Sequence, residues 1–391
     1  MPSPVRLTAW LLGAVAFATV VAIVLLWPSG DRPQLAGGLS TETEAAEVET
    51  ITEGACPAGQ PGTCAEVTVR LLSGPDEGTS ATISLGEVGQ GPDLSVGDEI
   101  RVQSTSGELP PDAVEPAAAA YVFSDFERRS PLLWLAIAFA VLVVLFGRLR
   151  GAMSLLGLVL SLLIVLGFVV PAILTGEPPF AVAVAGALAV MLVTIPLAHG
   201  VSRKSLAAML GTSASLLLTA ALALAFTELT TLTGYSFDEA LVLQAAGIDI
   251  SFQGLLLAGM VIGALGVLDD VTVSQSSTVF ALRAADPHQG FRGLFTRALD
   301  VGRDHVSATV NTLVLAYVGA ALPVLLIFGS SDIALGSALN VEVVAREVVA
   351  MLVGSIGLIC AVPITTALAA WLADSLPEAE LAAETEHGHP H

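Results

Sequence analysis

The sequence predicts an all-α polytopic membrane bundle of about eight spanning helices, with a small all-β extracytoplasmic domain between the first two spans. The composition supports the bundle, because 54% of the 391 residues are hydrophobic and 13% are charged, against about 25% charged in soluble domains. Apolar runs of spanning length, about 20 residues, recur through the C-terminal two-thirds. Alternating β-forming residues before these runs support the β domain.

The charge distribution excludes one class of function. The formal net charge is −21, and residues 28–130 alone contain 18 Asp and Glu against 5 Arg. Nucleic-acid binding requires a basic surface and is therefore not expected. An acidic domain in contact with water is the simplest explanation of this region.

The first apolar run extends from Leu7 to Trp27 and follows a single basic residue, Arg6. A cleaved signal peptide has a shorter apolar core and small residues at its cleavage site. This run has spanning length and lacks such a site. We therefore expect residues 1–27 to form an N-terminal membrane anchor.

Residues 28–130 are predicted to form an extracytoplasmic linker and a small β domain. The stretch at 40–53 is rich in Thr and Glu, which favours a mobile linker. Period-two alternation predicts three strands of a small barrel or sandwich, at residues 67–71, 81–85 and 99–102. No catalytic triad or metal cage occurs among these residues, so binding or scaffolding is the expected role.

Two of the three cysteines, Cys56 and Cys64, lie close together in this polar region. In an oxidising compartment they would form a disulfide that closes a tight loop. Two free thiols are the alternative.

A seven-helix membrane domain is predicted at residues 131–373, followed by an acidic cytoplasmic tail at 374–391. The tail contains His387, His389 and His391, for which a solvated terminus is favoured over a metal site. The seven spans are predicted at residues 132–147, 152–174, 180–198, 206–226, 252–270, 307–328 and 343–372.

Lys and Arg placement orients the bundle, since cytoplasmic loops carry the positive charge. The loops at 176–179 and 227–251 contain neither residue. The protein is thus expected in the cytoplasmic membrane, with both termini cytoplasmic and residues 28–130 outside. The residues assigned to the cytoplasmic face are Arg6, Arg148, Arg150, Arg203, Lys204, Arg283, Arg292, Arg297 and Arg303.

Two adjacent carboxylates, Asp269 and Asp270, lie in the predicted 252–270 span. Ionisable residues at membrane depth are costly and by default indicate function. Adjacent residues differ by about 100° around a helix, so one carboxylate could face the bundle while the other faces the cytoplasmic mouth. Desolvation and mutual repulsion would favour a proton on one of them, as a coupled transporter requires. The alternative is a helix that ends before the pair and leaves both in water.

The next span contributes three further candidates for proton coupling. Asn311 and Thr312 lie about two turns inside this span, and Asn311 would need an inward partner such as Asp269 or Asp270. His305, near its start, titrates in a range suited to a proton relay; an interfacial location near the membrane surface is the alternative.

The beginning of the last span is also polar. Glu342 and Arg346 are four residues apart and could pair on one helix face, with Glu347 just inside the boundary. A solvated interfacial turn and a substrate-binding role are both open. No Walker loop, Rossmann glycine fingerprint or zinc-protease helix occurs, so neither a cofactor nor a metal is expected, and an enzyme is not predicted.

Three motifs resemble the signature of the YibE/F family of bacterial membrane proteins. They are GALGVLDDVTVSQ at 263–275, DHVSATVNTL at 304–313 and GSIGL at 354–358. The likeness extends from the outer domain through the last span. It implies a multi-pass topology and no particular activity.

A broader likeness is to the membrane halves of the resistance-nodulation-division superfamily, especially the Sec translocon accessory subunits. In those proteins a carboxylate in the matching helix is tied to proton flow. Asp270 falls best on that position, with Asn311 and Thr312 opposite. This chain differs in having an extra pair of spans, two carboxylates and a smaller outer domain than the exporters.

These observations lead to two expected functions. The first is a proton-coupled transporter or export accessory, in which Asp270, seconded by Asp269, carries the proton. The second is a non-transporting membrane scaffold whose outer β domain recruits a cell-envelope partner. The expected partners are the lipid bilayer and a small molecule, an ion or an envelope protein.

Overall fold

The computed structural model describes residues 4–30, 43–56, 62–89, 91–104, 121–236, 238–245, 247–330 and 333–375. The tail histidines and all but the first two residues of the predicted acidic tail lie outside these ranges. The chain divides into two compact units, one formed by residues 35–142 and the other by residues 1–34 and 143–391. Each unit is described separately below.

The smaller unit is built on one antiparallel sheet of five strands in the order β3-β2-β1-β4-β5. Its two edge strands, β3 and β5, contact each other, so the sheet curls into a half-barrel. The three strands predicted from alternation correspond to β2, β3 and β4. The strands are β1 (Thr43–Ala55), β2 (Thr63–Leu71), β3 (Ser80–Glu87), β4 (Glu99–Ser104) and β5 (Tyr121–Phe126).

The predicted linker at 40–53 is wrong from residue 43 onward, because this stretch is the central strand β1; residues 40–42 lie outside the described ranges. Ala46 and Val48 are completely buried or nearly so, while the Glu47 side chain between them stays accessible. Ala46 pairs with residues of both β2 and β4, and Val48 pairs with a residue of β2. Pairing on both sides therefore outweighs the polar composition that favoured disorder.

A disulfide joins Cys56 to Cys64, at the end of β1 and within β2. A hydrogen bond joins β5 to the loop between β2 and β3, where the Tyr121 hydroxyl donates to Asp76 Oδ2 at 2.7 Å. This hydrogen bond, together with burial, raises the pKa of Tyr121. Both contacts tie loops to the sheet.

The larger unit is helical, and its long apolar helices make the chain an integral membrane protein. Apart from a short π-helical segment at Val165–Val169, its elements are α-helices. They are α1 (Pro4–Leu25), α2 (Arg129–Ile164, whose first residues belong to the smaller unit), α3 (Val170–Leu174), α4 (Pro179–His199), α5 (Arg203–Leu229), α6 (Asp238–Ala245), α7 (Phe252–Ala285), α8 (Phe291–Ala320), α9 (Leu322–Gly329), α10 (Leu335–Leu339) and α11 (Glu342–Asp374).

Six helical stretches in the described part of the chain are long and apolar enough to span a membrane, or seven if α8 and α9, bent by 64°, count as one span. The longest, Arg129–Leu174, has 46 residues. At 1.5 Å per residue it would measure about 70 Å, more than twice a hydrocarbon core of about 30 Å. Its backbone breaks at Arg148, where φ is 51° and ψ is −133°, within the predicted gap between spans. The count of eight remains a prediction.

The helix with the Asp pair is longer than predicted. The predicted span ended at residue 270, whereas α7 continues to Ala285, so the pair does not follow the end of a helix. The added turns are polar, but Thr272, Gln275 and Ser276 are buried. Because these side chains find partners inside the bundle, the helix continues past its apolar stretch.

The centre of the bundle is formed by α7, which packs against α4, α5, α8 and α11. Helices α5 and α11 approach especially closely. A Cβ at Gly211 would collide with Thr365, and one at Gly357 would collide with Thr219. Small residues at such crossings let helix backbones approach within a membrane. The two closely packed helices α5 and α11 both contact α7.

Candidate functional site

The two carboxylates of α7 have different surroundings. Asp269 is half-buried and lines a cavity inside the bundle. Asp270 is exposed, and it lies within electrostatic range of His199 at the end of α4. The 100° rotation between adjacent helical residues accounts for this difference. Asp269 is therefore the member of the pair that lines this cavity.

This partly open space, called the Asp269 cavity below, has a volume of about 260 Å³. Three elements supply its walls: the stretch from α2 through the π-helical segment, α4 and α7. Apart from Asp269, its polar side chains are the hydroxyls of Ser161 and Thr194. The lining residues are Ser161, Val165, Val169, Gly186, Ala187, Val190, Thr194, Ile262, Leu265, Gly266 and Asp269.

The carboxylate of Asp269 lacks a full set of hydrogen-bond donors. Its Oδ1 atom is buried and has no hydrogen-bond partner among the described residues. The hydroxyl of Thr194 interacts with the carboxylate, but Thr194 Oγ1 donates its hydrogen to the Val190 carbonyl at 2.9 Å. A protonated carboxyl could donate to Thr194 Oγ1, whereas an ionised one cannot.

Glycines shape the cavity. A Cβ at Gly186 would meet the Val169 side chain, so the glycine allows α4 to lie directly against the π-helical segment. A Cβ at Gly266, one turn before the carboxylate, would meet nothing within 4 Å. The missing side chain there leaves open space beside Asp269. π-helical turns inside longer helices are common at functional sites.

A buried polar network continues along α7 beyond the carboxylate. Thr272 Oγ1 lies 3.1 Å from the Asp269 carbonyl and 2.5 Å from Thr212 Oγ1 on α5. Gln275 Nε2 donates to the Ala298 carbonyl at 2.7 Å and to Thr366 Oγ1 at 2.8 Å. These bonds lock α7 against α5, α8 and α11, and so hold the Asp269 side chain in place.

The candidates on α8 do not join the carboxylates. Asn311, Thr312 and His305 are exposed, and the Thr312 hydroxyl donates to the Ala308 carbonyl at 3.1 Å. Among the described residues, no hydrogen bond links Asn311 or Thr312 to Asp269 or Asp270. α8 also packs along α11, so its rotation is set by two neighbours. The expected partnership is not formed in this structure.

The polar start of α11 is arranged differently from the expected pair. The Glu342 carboxylate accepts hydrogen bonds from Thr233 and from the Gly234 backbone. Arg346 instead contacts the adjacent Glu347, with Nε 3.1 Å from Oε1. The predicted pairing of Glu342 with Arg346 is therefore wrong, since backbone amides of the α5–α6 loop supply better-placed donors.

Thr194 and Gly186 were not found by sequence reasoning. Threonine and glycine are frequent in membrane helices, so their types carry no signal; only their position opposite Asp269 distinguishes them. The described residues contain no group of three or more His, Cys, Asp or Glu that could hold a metal ion.

One family model matches the chain, that of the YibE/F-like protein, over residues 135–375. This stretch is more than half of the chain and includes every residue of the Asp269 cavity. It excludes α1 and the five strands. No curated protein and no solved structure is similar enough to this chain to count as a match.

Proposed function

The chain belongs to the YibE/F-like family, and on that premise we propose that it is a proton-coupled transporter or export accessory of the bacterial cytoplasmic membrane. One observation carries the proposal: an incompletely hydrogen-bonded carboxylate, Asp269, lines a cavity between packed helices. The proposed role is non-enzymatic, with a proton as the species that Asp269 loads and releases.

The chemistry of the cavity supports this role for Asp269. An ionised carboxylate in apolar surroundings is costly unless it is paired or fully hydrogen-bonded. Binding a proton removes the charge and creates a donor for Thr194 Oγ1. The protonated and the ionised forms of Asp269 therefore make different contacts. A ligand or a helix movement that favours one form changes the fraction of Asp269 that carries a proton.

The exposed neighbour supports a route for the proton. Asp270 follows Asp269 directly in the chain and lies within electrostatic range of His199. Lys204 and Arg150 also interact electrostatically with His199. A carboxylate in the cavity and a carboxylate outside it would connect the Asp269 cavity to this charged end of the bundle. The geometry supports Asp269 as the carrier and Asp270 as the relay, the reverse of the order expected from sequence.

The same features support an orientation. Lys204 and Arg150 lie within electrostatic range of His199, as Asp270 does, and this end of the bundle is expected to be cytoplasmic because Lys and Arg remain on that side. The Cys56–Cys64 disulfide fits an oxidising exterior for the β domain. We propose that both termini are cytoplasmic and that residues 28–130 are extracytoplasmic.

The test is dicyclohexylcarbodiimide labelling of the purified protein across a pH series, with the modified peptide identified by mass spectrometry. This reagent favours protonated carboxyls in apolar surroundings. We expect labelling of Asp269 that persists to near-neutral pH and is lost in Asp269→Asn, with little labelling of Asp270. Asp270→Asn serves as the matched control and should leave the labelling of Asp269 intact.

In cells, Asp269→Asn is expected to abolish activity while leaving membrane insertion unchanged. Normal activity of that variant, or no labelling of either carboxyl, would refute proton coupling at this site.

A second function, a membrane scaffold, is favoured by one observation. The smaller unit has its own hydrophobic core and disulfide, which suits a module that recruits an envelope partner. In that case, deleting residues 40–125 abolishes function while Asp269→Asn does not. The two variants together separate the functions, because a proton-coupled transporter is inactive without Asp269, whereas a scaffold is not.

A further inference from the structure

A second and larger cavity adjoins the Asp269 cavity. This space, called the Arg346 cavity below, has a volume of about 580 Å³, within the range of pockets that hold small organic molecules. Most of its walls are aliphatic and belong to α7 and to the stretch from the π-helical segment through α3. Its lining includes Val170, Leu255, Gly259, Met260, Tyr317, Arg346 and Glu347.

The charged groups of the Arg346 cavity are already partly matched. Arg346 Nε donates to Glu347 Oε1 at 3.1 Å, and Arg346 Nη1 donates to Ser236 Oγ at 3.2 Å. The exposed fractions of these two charged side chains are 18% and 28%, so water screens them little. A carboxylate accepts several hydrogen bonds, and Glu347 can therefore accept from a ligand as well as from Arg346.

An aromatic ring completes the polar end. Tyr317 of α8 lines the same cavity, and its hydroxyl lies within electrostatic range of Glu347. The face of an aromatic ring attracts cations. Glu347 and Tyr317 thus offer a positive group two favourable contacts.

The two cavities share part of their walls. Val165 and Val169 of the π-helical segment and Ile262 of α7 line both. Asp269 therefore lies in a space that adjoins the Arg346 cavity across three aliphatic side chains. Within the Arg346 cavity the guanidinium of Arg346 balances the charge of Glu347. An ionised Asp269 forms no ion pair among the described residues, so its charge attracts a cation into the adjoining space and repels an anion.

We propose that the Arg346 cavity binds a lipophilic monocation, an organic ammonium or phosphonium ion whose apolar groups contact α7 and α3 and whose charge lies beside Glu347 and Tyr317. This names a class of cargo for the transport proposed above and rests on that function. Exchange of such a cation against the proton of Asp269 would leave the charge of the adjoining cavities balanced.

The test is equilibrium binding of radiolabelled tetraphenylphosphonium to the full chain in lipid nanodiscs, without any proton gradient. Tetraphenylborate, which has nearly the same size and shape but the opposite charge, is the matched ligand. We expect saturable binding of the phosphonium and none of the borate. Equal saturable binding of both, or of neither, would overturn the proposal.

Variants locate the bound cation. A Cβ at Gly259 or at Gly319 meets nothing within 4 Å, but only Gly259 lines the cavity. Gly259→Leu should abolish phosphonium binding, while Gly319→Leu should retain it. Glu347→Gln, which preserves the shape of the side chain, should weaken binding by about tenfold or more, because it removes a negative charge beside the cation and leaves the charge of Arg346 less compensated in the cavity. Unchanged binding in both Gly259→Leu and Glu347→Gln would exclude this cavity as the site.

The outcome is separable from that of the proposed function. Cation binding without carbodiimide labelling of Asp269 would retain the site and remove the proton coupling. Labelling of Asp269 without cation binding would retain the coupling and exclude this class of cargo.

Discussion

Replacing Asp269 by Leu should stabilise the folded protein, although it should destroy the proposed activity. One carboxylate oxygen is buried without a hydrogen-bond partner, and an unsatisfied buried polar group costs about 1–3 kcal/mol. The cavity of about 260 Å³ beside it can accept the larger apolar side chain without overpacking. The expected gain in the free energy of unfolding is therefore about 1–3 kcal/mol.

The assay is thermal unfolding of the purified protein in nanodiscs at neutral pH. For domains of about 150–250 residues, 1 kcal/mol corresponds to roughly 2–4 °C in the unfolding midpoint, so a measurable rise of a few degrees is expected for this somewhat larger unit. Asp270→Leu is the matched control, since it makes the same change at an exposed position of the same helix. Its effect should stay within about 0.5 kcal/mol.

The opposite sign would refute the reasoning. If Asp269→Leu lowered the stability by 1 kcal/mol or more, the carboxylate would be making contacts that hold the fold together, and a structural role would explain its position. Stabilisation with loss of activity is instead the pattern of a residue kept for function at a cost in stability.

Three further predictions concern the rest of the molecule. Cys64→Ser should lower the stability of the β unit toward denaturant by roughly 2–3 kcal/mol, because the loop closed by the disulfide becomes unconstrained in the unfolded chain; an unchanged midpoint under non-reducing conditions would contradict this. Gly357→Val should destabilise the bundle by about 1–3 kcal/mol or more through overpacking. Gly319→Val, at a glycine in open space, should not destabilise it. Equal thermal unfolding midpoints for the two variants would argue against the close crossing of α5 and α11. The raised pKa of Tyr121 contributes stability below the ordinary tyrosine value of about 10 that is lost as pH rises through the higher value; ultraviolet titration should show this phenol ionising at lower pH after Asp76→Asn, and no shift would exclude the hydrogen bond as the cause.

Local signals in the sequence were sufficient for the membrane class and for most helices. A run of apolar residues identifies a spanning helix without any knowledge of its neighbours, because lipid requires the backbone to bond to itself. The alternation at 67–71, 81–85 and 99–102 was sufficient to predict β2, β3 and β4, because alternating apolar and polar residues indicate a strand with one buried face. The strand β1 was missed because its Thr and Glu residues become ordered only by pairing on both sides.

The extent of α7 marks the limit of hydropathy. The apolar stretch ends near Asp270, yet the helix continues for 15 residues beyond it. Thr272 and Gln275 remain helical because the Thr272 hydroxyl shares a hydrogen bond with a hydroxyl on α5, and a carbonyl on α8 and a hydroxyl on α11 accept from Gln275. Such partners come from positions far away in the chain, and a window of sequence does not contain them.

The sequence by itself determined that this is a membrane protein of the YibE/F type and that two adjacent carboxylates lie in one of its helices. Only the tertiary structure decided that Asp269 faces a cavity, that Thr194 and Gly186 lie opposite it, and that Asn311 does not. The reason is geometric: one residue turns a helix by about 100°, so the direction of each side chain depends on how the whole helix is rotated. That rotation is set by contacts between distant segments, such as the hydrogen bonds from Gln275 of α7 to α8 and α11.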